Sequence, residues 1–104
     1  MPKKVATIDM VLSIDGIGTV IGLPTENEWT LAPNEKIHRR ERIQIRTQRG
    51  FHLSTFIRDI EMINRGRKHG GVCFSLPREI TPQQIPGGSE LWLERDGTEP
   101  LLEP

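Results

Sequence analysis

From Ala6 onward the apolar residues fall on every second position, Ala6, Ile8, Met10, Leu12 and Ile14, with Thr7, Asp9 and Ser13 between them. This alternation restricts the start of the chain to a strand with one buried face. Asp15-Gly16 follows, a dipeptide that tolerates the positive φ angles of a two-residue hairpin turn, and Ile17, Thr19 and Ile21 resume the alternation. Such a turn sets Ile14 opposite Ile17 and Leu12 opposite Thr19. Gly22 and Pro24 end the hairpin, and a short strand is expected from Trp29 to Leu31, ahead of the Ala32-Pro33-Asn34 turn.

The same period runs through residues 37–46, IHRRERIQIR, where Ile37, Ile43 and Ile45 share a parity and no helical stripe joins them. A strand is expected, with Arg42, Gln44 and Arg46 facing water. Farther on, Leu53, Phe56, Ile57, Ile60 and Ile63 fit a helical stripe over residues 53–65, with Ser54 or Thr55 to cap it and Gly66 to end it. A strand through Phe51 to Ile60 is the competing reading. Val72, Phe74 and Leu76 mark another strand, and Thr81-Pro82 reads as an N-cap followed by proline at the first position of a single helical turn. In SELWLER, Trp92 is out of phase with Leu91 and Leu93 and so belongs on the outer face of its strand. Asp96-Gly97 then offers a second turn, returning Thr98 to Leu102 with Leu102 and Pro100 opposite Leu91 and Leu93.

Five to seven short antiparallel strands and one helix make a β-rich α+β fold, a small barrel or sandwich. At 104 residues the chain has material for one core, and residues 1–104 are expected to form a single domain.

Fourteen Lys and Arg balance fourteen Asp and Glu, which excludes a uniformly basic chain that coats nucleic acid with its whole surface. The balance hides an uneven layout. Residues 1–33 carry two cations against four carboxylates, residues 34–70 ten against four, and residues 71–104 two against six, giving −2, +6 and −4. All three histidines, His38, His52 and His69, lie in the basic block. Guanidinium groups hold phosphate oxygens through paired hydrogen bonds, so Arg39, Arg40, Arg42 and Arg46 suit a phosphate-bearing partner, and Arg65 and Arg67 beside their glycines extend the same patch. The competing reading is a solvated strand face paired with the acidic flanks.

Other signatures are weak. Gly16, Gly18 and Gly22 sit in a hairpin, not between a strand and a helix, so they make no dinucleotide loop. The histidines lack metal-ligand spacing, the single Cys73 reads as a buried thiol, and no Gly-x-Ser-x-Gly, phosphate-binding loop or His-Glu-x-x-His occurs. The expectation is therefore a protein that is not an enzyme and needs no cofactor. No segment reaches the about 20 apolar residues of a membrane span, and the N-terminus lacks a signal-peptide core, so a cytoplasmic protein without membrane insertion is expected.

The block from His38 to Gly97 resembles PilZ domains, small β-barrels that bind cyclic di-GMP. HRRERIQIR corresponds to their arginine-rich stretch, Asp59-Ile60 to the start of their Asp/Asn-x-Ser-x-x-Gly motif, Gly70-Gly71-Val72-Cys73-Phe74 to the strand after it, and PGGSELWLE to the next. Glu61 stands at the motif serine, and residues 62–69 intervene before the glycines. The resemblance implies that Arg39, Arg40 and Arg42 grip phosphates and guanine faces and that Asp59 contacts a guanine edge. A shorter stretch, SLPREITPQQIPGGSELWLERDGTEPLLEP, is similar to swapped-hairpin AbrB-type DNA-binding proteins. Two functions follow as expectations. One is a regulatory binding module whose arginine-rich centre, Arg39, Arg40, Arg42, Arg46, Asp59, Arg65 and Arg67, takes a cyclic dinucleotide or a short nucleic-acid element. The other is a phage- or plasmid-type assembly protein, a homo-oligomer joined through its basic and acidic blocks.

Overall fold

A computed structural model describes residues 2–24, 29–30, 37–61 and 72–94. Among the described residues there are eight strands: β1 (Lys3–Thr7), β2 (Met10–Ile14), β3 (Gly18–Gly22), β4 (Arg42–Arg46), β5 (His52–Phe56), β6 (Asp59–Glu61), β7 (Cys73–Ser75) and β8 (Glu90–Leu93). They form two four-stranded antiparallel sheets, ordered β1-β8-β4-β5 and β2-β3-β7-β6.

The chain passes between the sheets four times, and two of these links, β1–β2 and β5–β6, run directly from edge to edge, the first of them dividing the single strand expected from Ala6 to Ile14. At Ile8–Asp9 the Ile8 amide donates to Ser89 O in the first sheet (2.8 Å) and the Asp9 amide to Gly22 O in the second (2.9 Å). At Ile57–Arg58 the Ile57 amide donates to Glu41 O (2.9 Å) and the Arg58 amide to Ser75 O (2.8 Å). Both link isoleucines are buried and point into the core.

That second link overturns the helix expected over residues 53–65, which through Glu61 is β5 and β6. Leu53 and Thr55 pair with buried Ile45 and Ile43, and Ile57 continues their parity inward. The phase breaks where the chain changes sheets, and Ile60 then faces the same side as Phe74. A period-2 pattern with one phase break imitates the i, i+3, i+4, i+7 spacing of a helix. Residues 62–65 lie outside the described residues.

Three other expectations change in detail. The first hairpin forms, but its turn has three residues: Ile14 pairs with Gly18 and Leu12 with Val20. The Ile17 amide donates to Ile14 O (3.0 Å) with Gly16 at φ 84°, and Gly18, at φ 105°, starts the return strand. That one-residue shift puts Val20, not Thr19, beside Leu12. Residues 38–41 form a turn, so the strand expected from Ile37 begins only at Arg42. Trp29 and Thr30 form a bend; the Thr30 amide is bonded to Val5 O (2.9 Å), and the Trp29 indole donates to Pro24 O (2.9 Å). Leu31, the Asp96-Gly97 turn and Thr98 to Leu102 lie outside the described residues.

Val5, Ile21, Leu23, Ile43, Ile45, Ile57, Phe74, Leu76, Leu91 and Leu93 fill the space between the sheets, none more than 1% exposed. Ile80 and Ile85 close one end, on either side of a 3-10 turn at Pro82–Gln84. Proline starts that turn as expected, and Gln84 Oε1 reaches back to accept from the Thr81 amide (2.7 Å). Residues 3–22 supply strands to both sheets, so the architecture extends beyond the block from His38 to Gly97.

Candidate functional site

β4 alternates Arg42 out, Ile43 in, Gln44 out, Ile45 in, Arg46 out, as its sequence requires. Pairing with β8 and β5 builds cross-strand rows on the outer face of the first sheet. Lys4, Trp92, Gln44 and Ser54 form one row, and Glu90, Arg46 and His52 the next. The Arg46 guanidinium lies 3.7 Å from the centre of the Trp92 ring and donates through Nε and Nη2 to Gln44 Oε1 (3.1 and 2.9 Å). Stacking on an indole and a bond to a neutral amide leave its guanidinium without a direct ion pair, although its charge acts on Glu90 across the strands. Trp92 thus sits on the outer face, where its phase placed it.

Beside it, Glu90 is held at both oxygens. Trp92 Nε1 donates to Oε1 (3.0 Å), and Lys4 Nζ lies 3.0 Å from Oε2. The Lys4 ammonium and then the indole hold the Glu90 carboxyl below its ordinary value of 4.5, against a small opposing effect of burial. Because the folded value is depressed, this stabilisation is present above the unfolded value and is lost as pH falls through the folded one. The urea midpoint of the native chain is therefore expected to drop further between neutral pH and about pH 3 than that of Glu90→Gln. Equal drops would show that the Lys4–Glu90–Trp92 arrangement contributes nothing in solution.

The arginines singled out by sequence are divided in space. Arg39 Nε makes an exposed ion pair with Asp59 Oδ1 (3.0 Å), of the kind worth at most about 1 kcal/mol. Arg40 is exposed in the turn before β4 with φ 65°, a left-handed conformation in which its backbone N–H donates a hydrogen bond to Ile57 O (2.8 Å). Arg42 is exposed one turn of the strand pleat from Gln44, and Arg46 lies against Trp92. Arg42 and Arg46 share the outer face of β4, Arg39 and Arg40 stand in the turn before it, and the four do not converge on one hollow among the described residues. Arg65 and Arg67 lie outside the described residues, as do Lys68 and His69.

Two further arginines serve the fold. Arg58 Nη2 donates to Ile17 O and Arg78 Nη2 to Gly16 O (2.9 Å), tying the first hairpin turn to the Ile57–Arg58 link and to the segment after β7; Arg58 Nε is buried and has no partner among the described residues. The charge blocks also interleave, since β8 of the acidic block lies against β4 of the basic one with Glu90 opposite Arg46.

Among the described residues, two hollows lie around the β4–β5 turn, which no sequence motif singled out. The Gly50 amide donates to Thr47 O (3.0 Å), the Thr47 amide to Phe51 O (2.9 Å), and Gly50 takes φ 91°, the arrangement of a three-residue hairpin loop. The legible signal was Arg49-Gly50 between two alternating runs. A groove of about 360 Å³ lies between this turn and the 3-10 turn, lined by Thr47, Arg49, Phe51, Leu53, Gln83 and Pro86 among others. A smaller one of about 230 Å³ adjoins it through Thr47 and is bordered by Arg46, Gln48, Gly88 and Glu90. At Gly88 (φ 85°) an added Cβ would stand 2.7 Å from Gln48 Nε2, so only glycine lets that side chain lie against the loop. Phe51, at the rim, is 71% exposed.

Arg40, Arg42 and Arg49 make no side-chain hydrogen bond or ion pair among the described residues. Among the described residues no three His, Cys, Asp or Glu side chains form a cluster suited to a metal ion, and no helix is long and apolar enough to cross a membrane. No family model, curated protein or solved structure matches this chain.

Proposed function

We propose that the chain is a non-enzymatic, cytoplasmic regulatory module whose β4 face and β4–β5 turn bind a phosphate-bearing partner, either a cyclic dinucleotide or a short nucleic-acid element. The observation that carries this reading is the set of guanidinium groups without a direct ion pair among the described residues, with exposed Arg42 and Arg49 on either side of Arg46, itself held flat on Trp92. Holding a guanidinium in place before a ligand arrives reduces the ordering entropy of binding. We read the scaffold as a small barrel, since β1–β2 and β5–β6 each run from one sheet into the other at its edge. No catalytic role is proposed because the carboxylates beside these arginines are engaged, Glu90 with Lys4 and Trp92 and Asp59 with Arg39.

Titration with cyclic di-GMP and with short DNA and RNA, at low and at physiological ionic strength, tests the reading. Binding at low salt that weakens as salt rises is expected; no binding to any probe at low salt overturns it. The competing reading, self-assembly through opposed charge blocks, loses support from the pairing of Glu90 with Lys4 and its place opposite Arg46 within one chain. A monomer by light scattering at low salt is the expected result.

A further inference from the structure

We infer that the groove between the β4–β5 turn and the 3-10 turn holds an unstacked nucleobase, so that the phosphate-bearing partner is a single-stranded nucleic acid. The inference rests on the phosphate reading above and adds the base to it. Phe51 presents its ring to water, 71% exposed, at the mouth of a hollow of about 360 Å³, near the lower end of small-ligand sites. A ring in that position offers a flat face on which any base can stack. The opposite wall is Gln83, Gln84 and Pro86. Gln84 has its amide oxygen engaged by the Thr81 amide, whereas the Gln83 amide makes no hydrogen bond among the described residues and carries both a donor and an acceptor for a base edge.

Charge points to the same ligand. The lining contains no carboxylate; Arg49 and His52 are its ionisable groups. The adjoining hollow of about 230 Å³ brings Arg46 next to the shared Thr47, and the one carboxylate on its border, Glu90, is held by Lys4 and Trp92. A base in the first hollow thus leaves the phosphates on its two sides near Arg49 and Arg46. A duplex, whose bases are stacked and paired, presents phosphates only and leaves the groove empty.

The test is fluorescence anisotropy with four probes: a short single-stranded DNA, the same sequence as RNA, its duplex, and inorganic polyphosphate, which has charge and no base. The single strands are expected to bind more tightly than duplex and polyphosphate. Phe51→Ala should weaken single-strand binding about tenfold, within the range of one base–aromatic stack, and leave polyphosphate binding unchanged. Phe51→Trp should keep single-strand binding and have its emission quenched by it. The DNA and RNA arms distinguish which sugar the site prefers. Equal binding of single strand and polyphosphate, or no effect of Phe51→Ala, overturns the base-binding groove while the phosphate reading stands. No binding to any of the four overturns the base-binding groove, and no binding of cyclic di-GMP besides overturns the phosphate reading as well. Self-association that Phe51→Ala abolishes would assign the groove to a second copy of the chain and overturn the proposal.

Discussion

Phe74→Ala is expected to lower stability by about 3–5 kcal/mol, a large share of the about 5–15 kcal/mol available to a domain. The ring is 1% exposed and lies in β7, opposite Ile21 of β3 on one side and Ile60 of β6 on the other. With both neighbours held by backbone ladders, the surroundings have little freedom to close the gap left by a deleted phenyl ring, so the cavity cost adds to the forfeited burial. Ile60 in the same cross-strand row is 38% exposed, and Ile60→Ala should cost a small fraction of this. Urea unfolding followed by the tryptophans provides the comparison. Equal midpoint shifts for the two variants would mean that the second sheet does not pack its Phe74 face against the first.

The second large effect concerns binding. The double variant Arg42→Gln/Arg46→Gln removes two positive charges from the outer face of β4. For a single-stranded nucleic acid, each phosphate that no longer meets an arginine should reduce the slope of log K against log salt by about 0.7, hence by about 1.4 for the pair, with a fall in affinity of at least about tenfold at low salt. Arg42 is solvent-exposed and contributes by charge alone, whereas Arg46 is positioned by Trp92 and Gln44. Lysine at 42 should therefore retain most of the binding, and lysine at 46 should lose more, because an ammonium neither stacks on the indole as a plane nor donates in a fork. A double variant with the native salt slope would remove β4 from the binding surface.

Much of this was legible in residue order because β-structure writes its two faces into alternate positions. The outward Arg42, Gln44 and Arg46, the outward Trp92 and the Thr81-Pro82 turn follow from local pattern, and the structure has each of them, whereas the Ala6–Ile14 run is divided at Ile8–Asp9 between strands of different sheets and leaves Leu12 exposed. The segment from Leu53 misled because a strand that changes sheets at Ile57–Arg58 shifts phase, and the shifted spacing coincides with that of a helix. The register of the first hairpin misled by one residue because Asp15-Gly16 serves equally in turns of two and three residues, and Gly18 was free to adopt φ 105°.

The arginine block shows the limit most plainly. Composition marks ten cations between residues 34 and 70, yet their tasks differ: Arg39 pairs with Asp59, Arg58 holds the Ile17 carbonyl, Arg46 lies on Trp92, and Arg42 and Arg49 stand open. The order of residues determined by itself which side chains turn outward and how much charge the middle of the chain carries. Only the tertiary structure decided which outward groups share a surface. β4 meets β8 and the 3-10 turn meets the β4–β5 turn across long stretches of chain, and the partner of an outward residue is set by register between distant strands, which local periodicity does not encode.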